Sequence, residues 1–157
     1  MSYSAQKGFT LIETMVAIVI LILIATTSIV GVITFNQNQG IQDDAKGIIS
    51  EVRRVYSRAT GVFFPPGCSG VLAGYEMTFI DGTGDVTVSA LCAVTITETR
   101  SDVIKTSHFT GTTTFIINPG DGRINGSPYT LLITSDDNSD LTKSVMVSDF
   151  GVTELLP

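Results

Sequence analysis

From Thr14 to Gln42 the chain carries no charged residue, and one carboxylate, Glu13, stands at the edge of that stretch. No other feature limits the fold so strongly. A helix that is apolar all round needs a bilayer or a bundle of like helices to cover it. A carboxylate at bilayer depth costs about 2.5–3.5 kcal/mol, so one placed there answers to a partner. The residues before it suggest which. A short polar leader ends at Lys7-Gly8, and the apolar run begins at Phe9. A cut between Gly8 and Phe9 would leave an α-ammonium one helical turn from Glu13, titrating near pKa ~8 and largely charged at neutral pH.

Two ordinary readings compete. A secretory signal ends its apolar region at a small-residue cleavage site, and Ala25-Thr26-Thr27-Ser28 offers small residues. Apolar residues nevertheless resume at Ile29, Val30, Val32 and Ile33 with the helical pattern unbroken. A plain signal anchor leaves Glu13 unexplained. The stretch Gly8, Phe9-Thr10-Leu11-Ile12-Glu13, with the apolar run after it, resembles the class III signal of type IV pilins and of type II secretion pseudopilins. The resemblance implies a prepilin peptidase that cuts after Gly8 and N-methylates Phe9. It also implies assembly through Glu13 with other pilin or pseudopilin subunits, on an inner-membrane assembly platform. Many major pilins carry a proline midway along this helix, and here none precedes Pro65. That departure points to a minor pilin or a pseudopilin.

The expected organisation is a leader over residues 1–8, a transmembrane or filament-core helix over 9–35, an amphipathic continuation over 36–60 and a β-rich domain over 61–157. Residues 9–42 are long enough to cross an ~30 Å hydrocarbon core. Lys7 precedes the run while Asp43 and Asp44 follow it. The positive-inside rule counts Lys7, so the N-terminus stays cytoplasmic, membrane lipid surrounds the helix before assembly and the remainder lies outside.

From Ile41 the apolar residues Ala45, Ile48, Ile49, Val52, Tyr56 and Ala59 recur at helical spacing. Gly31, Gly40 and Gly47 each lower helix propensity by ~1 kcal/mol and are candidate bend points. Thr60-Gly61 and Pro65-Pro66-Gly67 end the helix. Short strands follow: 74–80, a long one over 86–97, a weak one over 102–106, then 112–118, 129–134 and 143–148, with 151–153 closing the sheet. The expected fold is α+β: a long helix packed on an antiparallel β-sheet or a two-sheet β domain, as in the pilin-like fold. The order of residues 50–59, Gly74-Tyr75, 115–120, 129–133 and 145–152 resembles the minor pseudopilin H and FimT-like group.

Cys68 and Cys92 face an oxidising compartment on this topology, which favours a bridge over two buried thiols. Asp136-x-Asn138-x-Asp140 places oxygens at alternate positions, like the start of a calcium loop. Some pseudopilins use calcium near their last strands, which the resemblance extends to this loop. The glycine and bidentate glutamate of an EF-hand are missing, so a solvated acidic turn is the favoured reading and no cofactor is expected. His108 is the sole histidine and has no triad context, so no enzyme is expected. The alternative function is that of a DNA-binding minor pilin acting in DNA uptake. A net charge of −6, with Lys143 the one base among the C-terminal acids, leaves little counterion release to drive it.

Overall fold

The computed structural model describes residues 10–101, 103–151 and 153–156, without the side chains of residues 26–30, 153, 154 and 156. Two compact units divide the chain, residues 1–36 and residues 37–157. Helix α1, Leu11–Thr60, contributes to both. Eight strands follow: β1 Gly74–Phe79, β2 Val86–Leu91, β3 Ile96–Arg100, β4 Ser107–Thr110, β5 Thr113–Ile117, β6 Tyr129–Ser135, β7 Thr142–Val147 and β8 Thr153–Leu156. The fold is α+β, a long helix packed on two antiparallel sheets in the pilin-like manner.

Within residues 37–157, α1 buries Ile41, Ala45, Ile48, Val52, Val55 and Ala59, each at most 1 % exposed. Their spacing of four and three keeps them on one face. Ile49 and Tyr56, expected on that face, flank it and are partly buried, while Val55 completes it. One sheet has the order β3-β2-β1-β5 and the other β4-β6-β7-β8. Aromatic rings join them: Phe79 of the first sheet meets Phe109 of the second edge-on at 5.1 Å, and Phe115 lies 5.2 Å from Tyr129. Such pairs add about 0.5–1.5 kcal/mol to their area burial.

The helix ends in a Schellman arrangement. Phe63 N–H donates to Arg58 O at 2.9 Å, and Val62 N–H to Ala59 O at 3.1 Å. The left-handed position is Val62, at φ 48°, one residue beyond Gly61. A β-branched side chain is strained there, and glycine is the usual occupant.

Two expected strands are corrected. Residues 86–97 form a hairpin, with Ala90 opposite Ile96 across a turn at 92–95. Residues 103–106 are irregular: Val103 and Ile104 N–H donate to Gly84 O, and the next two backbone donors go to a side chain. Asp44, 7 % exposed, accepts Lys105 N–H at 3.0 Å, Thr106 N–H at 2.9 Å, Thr106 Oγ1–H at 2.7 Å and Ser107 Oγ–H at 2.8 Å. The glycines beside it are close-approach sites within a continuous helix. A Cβ at Gly40 would lie 2.8 Å from Thr106 Oγ1, and one at Gly47 would lie 2.9 Å from Val103 O.

Burial opposes ionisation of Asp44, but the bonds from Lys105, Thr106 and Ser107 outweigh it and hold its carboxyl below the ordinary range. The folded value is depressed, so the stabilisation is full above the unfolded carboxyl value near ~3.9 and is lost as pH falls through the folded one. Asp44→Asn should cost about 2–4 kcal/mol at pH 7, since charge-assisted bonds are lost and donors are left unpaired. Urea midpoints should show the gap from the parent narrowing below about pH 4; a gap unchanged between pH 7 and pH 3 would contradict the clasp.

Candidate functional site

The start of α1 is built by Thr10 and Glu13. Thr10 takes the N-cap position: its Oγ1 accepts Glu13 N–H at 3.4 Å, and its carbonyl accepts Thr14 N–H at 3.2 Å. Glu13, three residues on, fits the capping-box pattern and places a negative charge in the first turn, where the helix dipole favours it. The lone carboxylate thus has a local role besides any partner. Gly8 and Phe9, the expected processing residues, and Lys7 before them lie outside the described residues.

Beyond Glu13 the described part of the unit presents a largely apolar surface, with Thr14, Thr34 and Asn36 also exposed. Fourteen large apolar side chains between Leu11 and Phe35 are exposed, from Leu11 at 77 % to Ile20 at 51 %. Patches far smaller than this mark interaction surfaces on soluble proteins. Among the described residues no helix is long and apolar enough to cross a membrane. The expected span over 9–35 is therefore not seen as such. Phe9 and the side chains of 26–30 fall outside the description, and residues 11–25 alone rise about 22 Å.

Cys68 and Cys92 are joined in a disulfide, with Cα atoms 5.7 Å apart and a sequence separation of 24. It pins the coil after α1 to the β2–β3 turn. Ala93 N–H donates to Ser69 O at 3.2 Å and Ala73 N–H to Leu91 O at 2.7 Å, so backbone bonds flank the bridge on both sides.

A second set of charges ties α1 to β3. Arg54 grips Glu51 through Nε at 2.9 Å and through Nη2, and Arg100 Nε reaches the same carboxylate at 3.8 Å. Arg58 Nη1 donates to Glu98 Oε2 at 3.1 Å, while Arg100 Nη1 lies 3.5 Å from Glu98 Oε1. The Arg58 bond, opposed by burial and reinforced by the neighbouring charge of Arg54, lowers the Glu98 carboxyl below its ordinary value. The bond it donates to Glu51 raises the Arg54 guanidinium further. These arginines are neutralised within the domain. Neither Asp44 nor Glu51 was singled out from the sequence, although a signal exists. Gly40, Asp44, Gly47 and Glu51 each immediately precede Ile41, Ala45, Ile48 and Val52. A stripe of glycines and acids thus runs beside the buried apolar stripe.

His108 Nδ1 lies 2.7 Å from Asp136 Oδ1, at the mouth of a polar hollow of about 290 Å³ that also touches Thr83, Lys105 and Ser107. The pair lies 28 residues apart in sequence and meets because β4 pairs with β6, which no local signal announces. An imidazole oriented by a carboxylate is half of a nucleophile-activating set. The neighbouring hydroxyls point elsewhere: Ser107 Oγ donates to Asp44 and Thr83 Oγ1 to Ile80 O at 2.9 Å. In the β6–β7 loop, Asn138 Oδ1 accepts Asp140 N–H at 3.1 Å, and Asp136 is turned to His108. The calcium candidates Asp136, Asn138 and Asp140 are thus placed as a capped turn. Among the described residues no group of three or more His, Cys, Asp or Glu side chains could hold a metal ion.

Replacing Cys68 and Cys92 together by serine should lower stability by ~3 kcal/mol on the chain-entropy model for a loop of this size. Denaturant midpoints of the parent, measured with and without reductant, should differ by the same amount. Equal midpoints for parent and double variant would remove the bridge from the stability argument.

Residues 3–29 match the family described as the prokaryotic N-terminal methylation motif. No curated protein and no solved structure matches the chain. The family match, on residues that include Gly8, Phe9 and Glu13, supports a type IV pilin-like or pseudopilin-like precursor, a class that is membrane-anchored before assembly and processed by prepilin peptidase.

Proposed function

We propose that this chain is a minor pilin or pseudopilin, a structural subunit of a type IV pilus or type II secretion pseudopilus and not an enzyme. The observation that carries the reading is the methylation-motif match over residues 3–29, which overlaps a helix that exposes large apolar side chains over its first half and whose one early charge is Glu13. The precursor sits in the cytoplasmic membrane with its N-terminus inside, spans it with residues 9–35 and holds the β domain outside. Prepilin peptidase cuts between Gly8 and Phe9 and methylates Phe9. The helices then leave lipid and pack side by side in a filament, on the inner-membrane platform. Arg54, Arg58 and Arg100 are engaged by Glu51 and Glu98, so the DNA-uptake alternative draws no support from these three arginines.

Assembly gives Glu13 its partner. In lipid the carboxylate has only its own chain's terminus, headgroups or water. Beside another helix it can meet that neighbour's Phe9 ammonium where water is scarce and the Coulomb attraction is weakly screened. Removing one member of a buried pair costs about 3–5 kcal/mol, because the other charge is left unanswered. Glu13 would therefore admit a subunit only at the correct axial height.

Mass spectrometry of the mature, membrane-extracted protein should find N-methylated Phe9 as its first residue. A start near residues 27–29 would point to an ordinary secretory signal. Glu13→Gln separates the two roles of Glu13, because glutamine also suits the capping box but carries no charge. Processing should be intact, while crosslinking between cysteines engineered into neighbouring helices should fall at least tenfold. Crosslinking at the parent level would leave Glu13 with its capping role alone.

A further inference from the structure

The β5–β6 loop and the β7–β8 turn meet at one end of the second sheet, where Tyr129 pairs with Val147. Tyr56 of α1 locks both in place. A Cβ added at Gly122 would lie 2.7 Å from its ring, and one at Gly151 would lie 2.4 Å from it. Both glycines hold positive φ, 69° and 67°, so each loop lies directly on the phenol ring. Ile124 N–H donates to Asp149 O at 2.9 Å and Gly120 N–H to Ala59 O at 3.0 Å, which ties the loops to each other and to the helix end.

On the solvent side the two loops line a polar hollow of about 270 Å³ with Arg123, Asn125, Ser127 and Asp149. Among the described residues neither the Arg123 guanidinium nor the Asp149 carboxylate has an ion-pair or hydrogen-bond partner. Asn125 shares its amide with Asn118 through bonds of 3.2 and 3.4 Å. The pairing fixes its plane and leaves one N–H and one lone pair unused. Beside the hollow Phe150 is 54 % exposed, and the Arg123 guanidinium lies 6.0 Å from its ring centroid.

The donor set narrows the ligand. One positive and one negative group leave the hollow no net charge, so neither a simple anion nor a simple cation is favoured. Asp149 repels the phosphates of a nucleic acid. A zwitterion would answer both charges but leave Phe150 and the Asn125 amide unused. Guanidinium, carboxylate and carboxamide are planar groups that engage two neighbouring polar atoms at once. Adjacent hydroxyls on a ring suit all three, because each hydroxyl both donates and accepts. The C–H face of such a ring is apolar and suits an exposed aromatic side chain. The volume lies at the small end for ligand sites, enough for a single ring.

We propose that the Arg123–Asp149 hollow binds one neutral sugar ring of a glycan, with Arg123, Asn125 and Asp149 on its hydroxyls and Phe150 against its C–H face. An open site for one ring gives a Kd of about millimolar for the free sugar. The inference does not depend on the assembly reading, since it uses no residue before Tyr56.

Saturation-transfer NMR on the full chain, in a detergent without a sugar headgroup, tests it. The probes are the methyl glycosides of glucose, galactose, mannose and N-acetylglucosamine. Glycine, acetate and a single-stranded oligonucleotide serve as competitors. At least one glycoside should receive saturation on its ring protons, and none of the competitors should displace it. Arg123→Ala and Phe150→Ser should each weaken that signal by about fivefold or more, the loss of one bonding or stacking partner. Lys143→Ala, away from the hollow, should leave it unchanged. Both replaced side chains are exposed, so urea midpoints should match the parent's, and Asp149→Ala supplies the same reading should either variant lose stability. Absence of saturation on every glycoside, displacement by any competitor, or a signal that survives the substitutions would overturn the site.

Discussion

Asp44 accepts four hydrogen bonds from three successive residues while almost wholly buried, and much of the domain's layout follows from that arrangement. A buried carboxylate must be answered fully or it is costly. Here the answer comes from the backbone N–H groups of Lys105 and Thr106, which would otherwise serve a strand, and from the Thr106 and Ser107 hydroxyls. The irregular segment 103–106 and the start of β4 at Ser107 are two results of one interaction. The clasp also requires close approach. Gly40 and Gly47, one turn to either side, remove the side chains that would hold the segment away. Helix propensity is given up at two positions so that a loop can lie against the helix.

Helix α1 meets two different solvation problems. Over residues 41–59 it presents one apolar face, and two sheets with an aromatic seam cover it. Along the flank of that face, Glu51 is held by Arg54 and Arg100, as Asp44 is held by backbone donors. Over residues 11–35 the large apolar side chains among the described residues are exposed. The methylation-motif match falls on this uncovered part. Physical reading and family match therefore converge on the same segment.

The coil after α1 shows how an exposed segment keeps its shape without a core. A Schellman cap turns the chain, the Tyr75 hydroxyl holds Phe63 O, and the Cys68–Cys92 bridge fixes the coil to the β2–β3 turn. Burial pushes the Tyr75 phenol up, against the pull of the Arg58 charge, so it remains a hydrogen-bond donor at any ordinary pH. Phe63 and Phe64 are consequently presented outward by a rigid frame.

Much of this was legible from the residues alone, for reasons that can be named. Period 3.6 along 41–59 and the stop at Gly61 and the prolines are local signals, and α1 ends where they place it. The turns at Asp81–Asp85 and after Ile117 follow from glycine and aspartate chemistry in the same way. The class III signal is a contiguous string, so it too is readable without a fold. What escaped was decided by contacts between distant residues. Nothing near residue 92 marks a turn in an unbroken run of strand-forming residues; the hairpin there comes from β3 pairing back on β2. Nothing near residue 104 forbids a strand; the donors of Val103 and Ile104 go to Gly84 O, and those of Lys105 and Thr106 to Asp44, far back in the chain. His108 meets Asp136 only because two strands from different parts of the chain lie side by side. The sequence by itself determined the helix, its apolar first half, its processing signal and the strand-rich character of the remainder, because each depends on neighbours along the chain. Tertiary structure alone decided how the strands divide into two sheets, where the second one begins and which charges are neutralised. Those outcomes depend on which donors and acceptors remain unpaired once the core has closed.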